Sequence, residues 1–197
     1  SLTTEPEWKI AHKIFYRELL PRAVKNPQYL QDNHYNIYDQ KGKYVPVTRD
    51  KLQQISKAGS GYTMRQSSGC DNALGKIVFR FPNRFDIYLH DTPEQKLFSK
   101  GERAYSHGCI RVEKATLLAE ILLINDGSAA KIPAFRSAVS LMRKTNFKLR
   151  NPVPIKITYL TCEIIDGMLV SYPDVYNRDP VLLGMMFPKQ TLLVEGG

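Results

Sequence analysis

Two short runs, Lys76-Ile77-Val78-Phe79-Arg80-Phe81 and Phe85-Asp86-Ile87-Tyr88-Leu89, constrain this chain more than any other feature. Polar and apolar residues alternate in both. A strand points successive side chains to opposite faces, so this period of two predicts half-buried strands. Pro82-Asn83-Arg84 between them is turn chemistry. The pair therefore predicts an antiparallel hairpin whose second strand ends at His90.

A helical period follows. Val112, Ala115, Leu118, Ala119 and Leu122 trace one face of a helix over 113–124, and Gly127 stands where a terminating glycine is favoured. A second helix spans about 132–143. Residues 154–162 are rich in β-formers, Asp166-Gly167 signals a tight hairpin turn, and 168–172 is the returning strand. Upstream, Ile10, Ile14, Phe15, Leu19 and Val24 predict a helix over 8–24, with Pro21 ending or kinking it. Asn26-Pro27 marks a turn. Residues 34–38 and 44–47 predict two strands around the turn 39–43, and 48–57 a helix broken by Gly59-Ser60-Gly61. Hairpins interspersed with helices define an α+β class. The tail from Pro180 shows no pattern, and no repeat is evident.

Lys and Arg number 28 against 19 Asp and Glu, a formal charge of +9. Such an excess favours solubility and a weak attraction to polyanions, and an anionic cell-wall polymer fits it. The basic residues are dispersed, with no Lys/Arg block and no RNA-binding or zinc-finger pattern, so no nucleic-acid partner is expected. No stretch approaches the ~20 apolar residues of a membrane span. Ser1-Leu2-Thr3-Thr4 does not resemble a signal peptide, so a mature or excised fragment is expected. The cysteines, Cys70, Cys109 and Cys162, are odd in number, so at least one thiol is free; a Cys70–Cys162 disulfide is the pairing to consider. His12, His34, His90 and His107 do not supply zinc-finger spacing, and no metal site is expected.

Chemistry concentrates at Ser106-His107-Gly108-Cys109. Gly108 permits a sharp turn before the thiol. A helix predicted just after Cys109 would offer it the positive end of a dipole and unpaired N–H groups, which favour thiolate and can hold an oxyanion. Arg111 adds positive charge. The competing reading is a buried cysteine acting as a small hydrophobe, against which the flanking His, Gly and Arg weigh. His90, at a strand end facing a polar loop, is the base candidate. His107 is nearer in sequence, but adjacent side chains often point apart. Asp91 could orient His90; as part of Asp-Thr-Pro it equally suits a turn cap, leaving a backbone carbonyl to orient the imidazole. His12 and His34 read as surface or packing residues.

His90, fifteen residues (91–105), then Ser106-His107-Gly108-Cys109-Ile110-Arg111 resembles the signature of the YkuD-type L,D-transpeptidases. His90-Asp91-Thr92-Pro93 is similar to that family's His segment. Arg65-Gln66, Gly69, Asn72-Ala73-Leu74-Gly75 and Phe79-x-Phe81-Pro82-Asn83 resemble its larger Gram-negative members, as does the segment from Trp8 through Glu18-Leu19-Leu20-Pro21 to Leu30. The resemblance implies a β-rich, β-sandwich-like catalytic domain with a mixed helix and strand capping insertion. The boundaries it suggests are a cap over 1–74, a catalytic core over 75–180 and a tail over 181–197. It further implies a periplasmic setting, peptidoglycan tetrapeptide stems as donor and acceptor, 3→3 meso-diaminopimelate cross-links, acylation by carbapenems, and no cofactor. Carried onto this chain, Cys109 is the nucleophile and His90 the base. Gly108, His107 and Asp91 are oxyanion or supporting residues, and Tyr88, Arg111 and Ser106 contact substrate. Only seven residues precede Trp8, so the family's first strands are expected to be missing, leaving exposed sheet edges. An L,D-carboxypeptidase or amidase of the same family, and an inactive wall-binding fragment, are the alternatives.

Overall fold

The computed structural model describes residues 1–187, which fall into two compact units, Ser1–Pro152 and a second that starts at Val153. The first unit opens with strand β1 (Leu2–Thr4), where Leu2 and Thr4 are buried and Thr3 is half-buried, as a period of two requires. At Glu5 the chain takes a positive φ of 45° and turns into the cap. There β2 (Trp8–Lys9) is followed by α1 (His12–Ile14), a wide π-type turn (Phe15–Leu19) and α2 (Leu20–Lys25). After α3 (Gln28–Asp32) come β3 (Tyr35–Asp39), α4 (Arg49–Ala58) and β4 (Tyr62–Gln66).

The cap sheet has the order β2-β4-β3, all antiparallel. Its core joins Ile10, Phe15, Leu20, Ile37, Leu52 and Met64, among others. α4 begins where the Thr48 side chain accepts the Lys51 N–H and ends at Gly59 in a left-handed conformation. Three expectations shift here. The helix predicted over 8–24 starts only at His12, because Trp8–Lys9 are extended and paired with Gln66 and Arg65. Pro21 does not end that helix; it sits in the first turn of α2, directly after the wide turn, where its missing N–H costs least. The predicted strand 44–47 is reduced to a bridge between Tyr38 and Tyr44, since Pro46 cannot donate to a ladder.

The catalytic sheet contains β5 (Ile77–Phe79), β6 (Leu89–His90), β7 (Ile110–Arg111) and, beyond helices α5 (Ala115–Asn125) and α6 (Ile132–Ser140), β8 (Thr145–Phe147). The order is β7-β6-β5-β1-β8. β1 is therefore an interior strand, hydrogen-bonded to β5 on one side and β8 on the other. This corrects the expectation that no strand precedes the cap, and it moves Leu2–Thr4 from the cap side of the 74/75 boundary to the catalytic sheet. One face of the sheet packs Leu2, Ile77, Phe79 and Phe147 against Ala119, Leu123 and Phe135 of α5 and α6. The fold is α+β.

The β5–β6 hairpin is shorter than its alternation predicts. The Asn83 side chain accepts the N–H groups of Phe85 and Ile87 and donates to the carbonyls of Phe81 and Ile87. Those groups are lost to a ladder, so 85–87 form a loop and pairing starts at Leu89.

The second unit, which starts inside the predicted 75–180 core, carries a hairpin of β9 (Cys162–Ile165) and β10 (Met168–Ser171) and the helix α7 (Asp179–Met186). Asp166 and Gly167 both have positive φ, 51° and 79°, the geometry of a two-residue turn that suits twisted strands. Residues 154–161 remain unpaired with any strand, and α7 occupies part of the span predicted to lack pattern. Residues 188–197 of the predicted tail lie outside the described residues. Among the described residues no helix is long and apolar enough to cross a membrane.

Candidate active site

The site is built by a parallel pairing inside an otherwise antiparallel sheet. β6 and β7 run parallel, with Leu89 opposite Ile110 and His90 opposite Arg111. Parallel neighbours need a crossover of a dozen or more residues. The spacer 91–105, which includes a short 3₁₀ turn at Gln95–Ser99, is that crossover. The ladder bonds from Ile110 N–H to the Tyr88 carbonyl (3.1 Å) and from Val112 N–H to the His90 carbonyl (2.8 Å) fix the register. Tyr88 then stands beside Cys109. Alternation puts Tyr88, His90, Cys109 and Arg111 on one face, while Leu89 and Val112 turn to the helix-covered face. In agreement, Cys109 packs with Leu74, Val78, Tyr88 and Trp8 in a separate cluster.

His90 is buried, 5% exposed, and its Nδ1 lies against the Asp91 carbonyl. A carbonyl only accepts, so the proton sits on Nδ1 and Nε2 keeps a lone pair for an incoming proton. Burial pushes the His90 pKa below the ordinary imidazole value and the Arg111 charge adds to this, while the Asp91 carbonyl and carboxylate oppose it. The imidazole is thus held neutral near pH 7.

The Asp91 side chain does not reach His90's ring nitrogen. Its Oδ2 accepts the Lys76 N–H at 2.9 Å and its Oδ1 accepts Gln95 Nε2 at 3.3 Å. Asp91 therefore anchors the loop whose carbonyl orients the base. Gly75 allows this: it has φ of 59°, and a Cβ there would lie 2.6 Å from the Asp91 carboxylate and the Thr92 nitrogen. Asn72, fully buried, braces the same segment by donating to the Ser67 carbonyl (2.7 Å) and accepting the Leu74 N–H (2.8 Å). Neither Gly75 nor Asn72 stood out as a site residue in the sequence; each carries no reactive group, and only the Asn-x-x-Gly spacing before a strand hinted at a built turn.

Around the thiol, Ser106 Oγ donates to the Cys109 carbonyl (2.6 Å) and accepts the Gly108 N–H (3.2 Å). Gly108 has φ of 146°, outside the range side chains readily adopt. Its N–H is engaged within the turn, whereas the Cys109 N–H has no acceptor among the described residues. The expected help from a helix terminus does not reach this position. β7 intervenes, α5 starts only at Ala115, and its first turn lines a different cavity, with Cys70, Lys76 and Asp91. Positive charge comes instead from Arg111, whose Nη1 donates to the Tyr105 carbonyl at 3.1 Å and whose buried Nε has no partner among the described residues. The Tyr88 phenol is pushed well above its usual range, first by burial and then by the neighbouring Cys109, while the Arg80 guanidinium 5.0 Å over its ring counteracts.

Cys109 and His90 open onto one cavity of about 210 Å³, whose far wall comes from the cap through Trp8, Ala11 and Ile14. His107 also lines it, and its Nε2 contacts Glu18 Oε1 of the cap at 2.8 Å. His12 and His34 lie elsewhere, against the Gly59 carbonyl and Asp71. All three cysteines are free thiols. Among the described residues no three His, Cys, Asp or Glu side chains gather as a metal site.

Fold and site together describe an α+β domain with a thiol and a backbone-oriented imidazole on one sheet face. The YkuD family model, described as the L,D-transpeptidase catalytic domain, matches residues 1–154, and the chain belongs to that family. The matched span closely follows the first compact unit. The chain is also 33% identical over 179 residues to a Haemophilus influenzae protein named "Putative L,D-transpeptidase". That alignment covers 91% of this chain and 36% of the relative, so the chain spans about a third of that protein's length.

Proposed function

We propose that this chain is a peptidoglycan L,D-transpeptidase that forms 3→3 cross-links through a Cys109 thioester. The observation that carries the reading is the parallel register that sets the Cys109 thiol beside the Tyr88–His90 edge, with both reacting groups on one cavity. In the proposed sequence His90 Nε2 takes the thiol proton as Sγ attacks the carbonyl of the third stem residue, meso-diaminopimelate. The developing oxyanion meets the Cys109 N–H. The C–N bond to the terminal D-alanine breaks, and the departing amine leaves with the proton from His90. The side-chain amine of a second diaminopimelate then attacks the thioester, loses its proton to His90, and the thiol is regenerated. Donor stems, acceptor stems and a periplasmic setting belong to this proposal, supported by the family and by the +9 charge, which favours an anionic wall polymer.

The test is intact-protein mass after carbapenem treatment. A one-to-one adduct is expected, absent in Cys109→Ala and kept in Cys70→Ala and Cys162→Ala. His90→Ala should slow acylation by about 10²–10⁴, the usual range for a general base. With a disaccharide-tetrapeptide, a cross-linked dimer supports transpeptidation, whereas free tripeptide without dimer assigns the related carboxypeptidase. No adduct on Cys109 overturns the proposal.

A further inference from the structure

We propose that Glu18, on the wide turn of the cap helix, is a positioning residue for the acyl-transfer site: its carboxylate fixes His107 in one tautomer and ties the Ser106–Cys109 loop to the cap. This rests on the thiol reading above. The contact spans 89 residues of sequence, with His107 Nε2 at 2.8 Å from Glu18 Oε1. An ionised carboxylate can only accept, so the bonded Nε2 carries a proton.

The loop needs such a tether. Residues 101–109 include no helix or strand, and 101–108 are exposed. The remaining hydrogen bonds of residues 105–109 are local. Ser106 bonds Gly108 and Cys109, Tyr105 N–H reaches the Arg103 carbonyl, and Arg111 reaches the Tyr105 carbonyl. Among the described residues, His107 to Glu18 is the bond that joins this stretch to a distant element. Gly108, with φ of 146°, would otherwise let His107 and the loop before it swing.

Glu18 reaches the loop because of the turn it sits on. Phe15 and Leu19, at the two ends of the π-type turn, stay buried in the cap core. The extra residue in the turn rotates the intervening side chains relative to a regular helix, and Glu18 faces the cavity mouth. Turns of this kind recur at functional sites, and here Pro21, which cannot donate to the Arg17 carbonyl, favours one. Two consequences follow for the chemistry. His107 cannot take a proton on Nε2 while bonded, so any proton it accepts must come through Nδ1. The loop that presents the Cys109 N–H is also held in one place before substrate arrives.

Glu18→Ala, Glu18→Gln, His107→Ala and the Glu18→Ala/His107→Ala double variant of the full chain are compared by carbapenem acylation rate and by ¹⁵N imidazole shifts. Glu18→Ala and His107→Ala are each expected to slow acylation by about two- to fivefold, the range an exposed charge-assisted contact supports. The double variant should be no slower than the slower single one, because both remove the same contact. Glu18→Gln keeps an acceptor oxygen and should hold both rate and tautomer. The unmodified protein should show His107 as the Nε2–H form, and Glu18→Ala a tautomer average. Multiplicative losses in the double variant, a Gln variant as slow as Ala, or a tautomer average in the unmodified protein would each overturn the proposal. Absence of acylation in the unmodified protein would instead refute the thiol reading, and the His107 shifts would still judge the Glu18 contact.

Discussion

Adding one methyl group at Gly75 should damage the base without touching it. The backbone there has φ of 59°, a left-handed conformation that costs an L-residue about 1–2 kcal/mol. The new Cβ would also sit 2.6 Å from the Asp91 Cγ, the Asp91 Oδ2 and the Thr92 nitrogen. Ordinary contacts start near 3.4 Å, so the Asp91–Thr92 segment must retreat by several tenths of an ångström or more, and overpacking of this kind costs about 1–3 kcal/mol. Gly75→Ala should then lose about 2–5 kcal/mol of stability. The retreat moves the Asp91 carbonyl that orients His90 Nδ1. A misplacement approaching 1 Å costs about 10²-fold in rate, so carbapenem acylation should fall by about 10–10². Denaturant unfolding gives the first quantity and time-resolved intact mass the second. Asp91→Ala in the same chain removes the side-chain clash but also the Lys76 and Gln95 contacts that anchor the loop, so the acylation rate should not recover. An acylation rate within about twofold of the unmodified protein, at unaltered stability, would refute the reasoning, because an error that small lies below the cost of any real displacement.

Two further outcomes are expected. Phe135 is fully buried and packs edge-on against Phe147 at 5.7 Å, so Phe135→Ala should cost about 3–5 kcal/mol in denaturant unfolding and leave the Cys109 adduct intact. Because burial and Arg111 depress the His90 pKa, the acid limb of the acylation rate should have its midpoint below the ordinary imidazole value of about 6.5, and Arg111→Gln should raise that midpoint. The sign for stability is the same. The unfolded chain binds the His90 proton more tightly than the folded one, so stability is lost as pH falls from about 6.5 through the depressed folded value, and a urea titration across that window reads it.

Cys109 and His90 could be singled out as candidates because reactive side chains at a fixed spacing carry a chemical pattern, and α5 was legible because its apolar residues recur at helical spacing over three turns. The strands were harder. β1, β7 and β8 are two or three residues long, too short to display a period, and they exist because distant segments complete their ladders. Phe85–Ile87 misled in the opposite direction. Its alternation is real, but the Asn83 side chain captures the backbone groups that a strand would need. The helix predicted from residue 113 starts at Ala115, after a two-residue strand that the sequence did not reveal, so its N-terminus gives Cys109 no help.

The interior position of β1 also sets a timetable for synthesis. Leu2 is partnered by Phe147, so β1, once synthesised, must wait for almost the whole first unit before its sheet can close. The cap core, drawn from residues 10–64, has no such delay and can condense while translation continues. The nascent first unit would then carry a folded cap beside an open, unpaired sheet until β8 is synthesised, a long-range closure of the kind that is slow and vulnerable to aggregation.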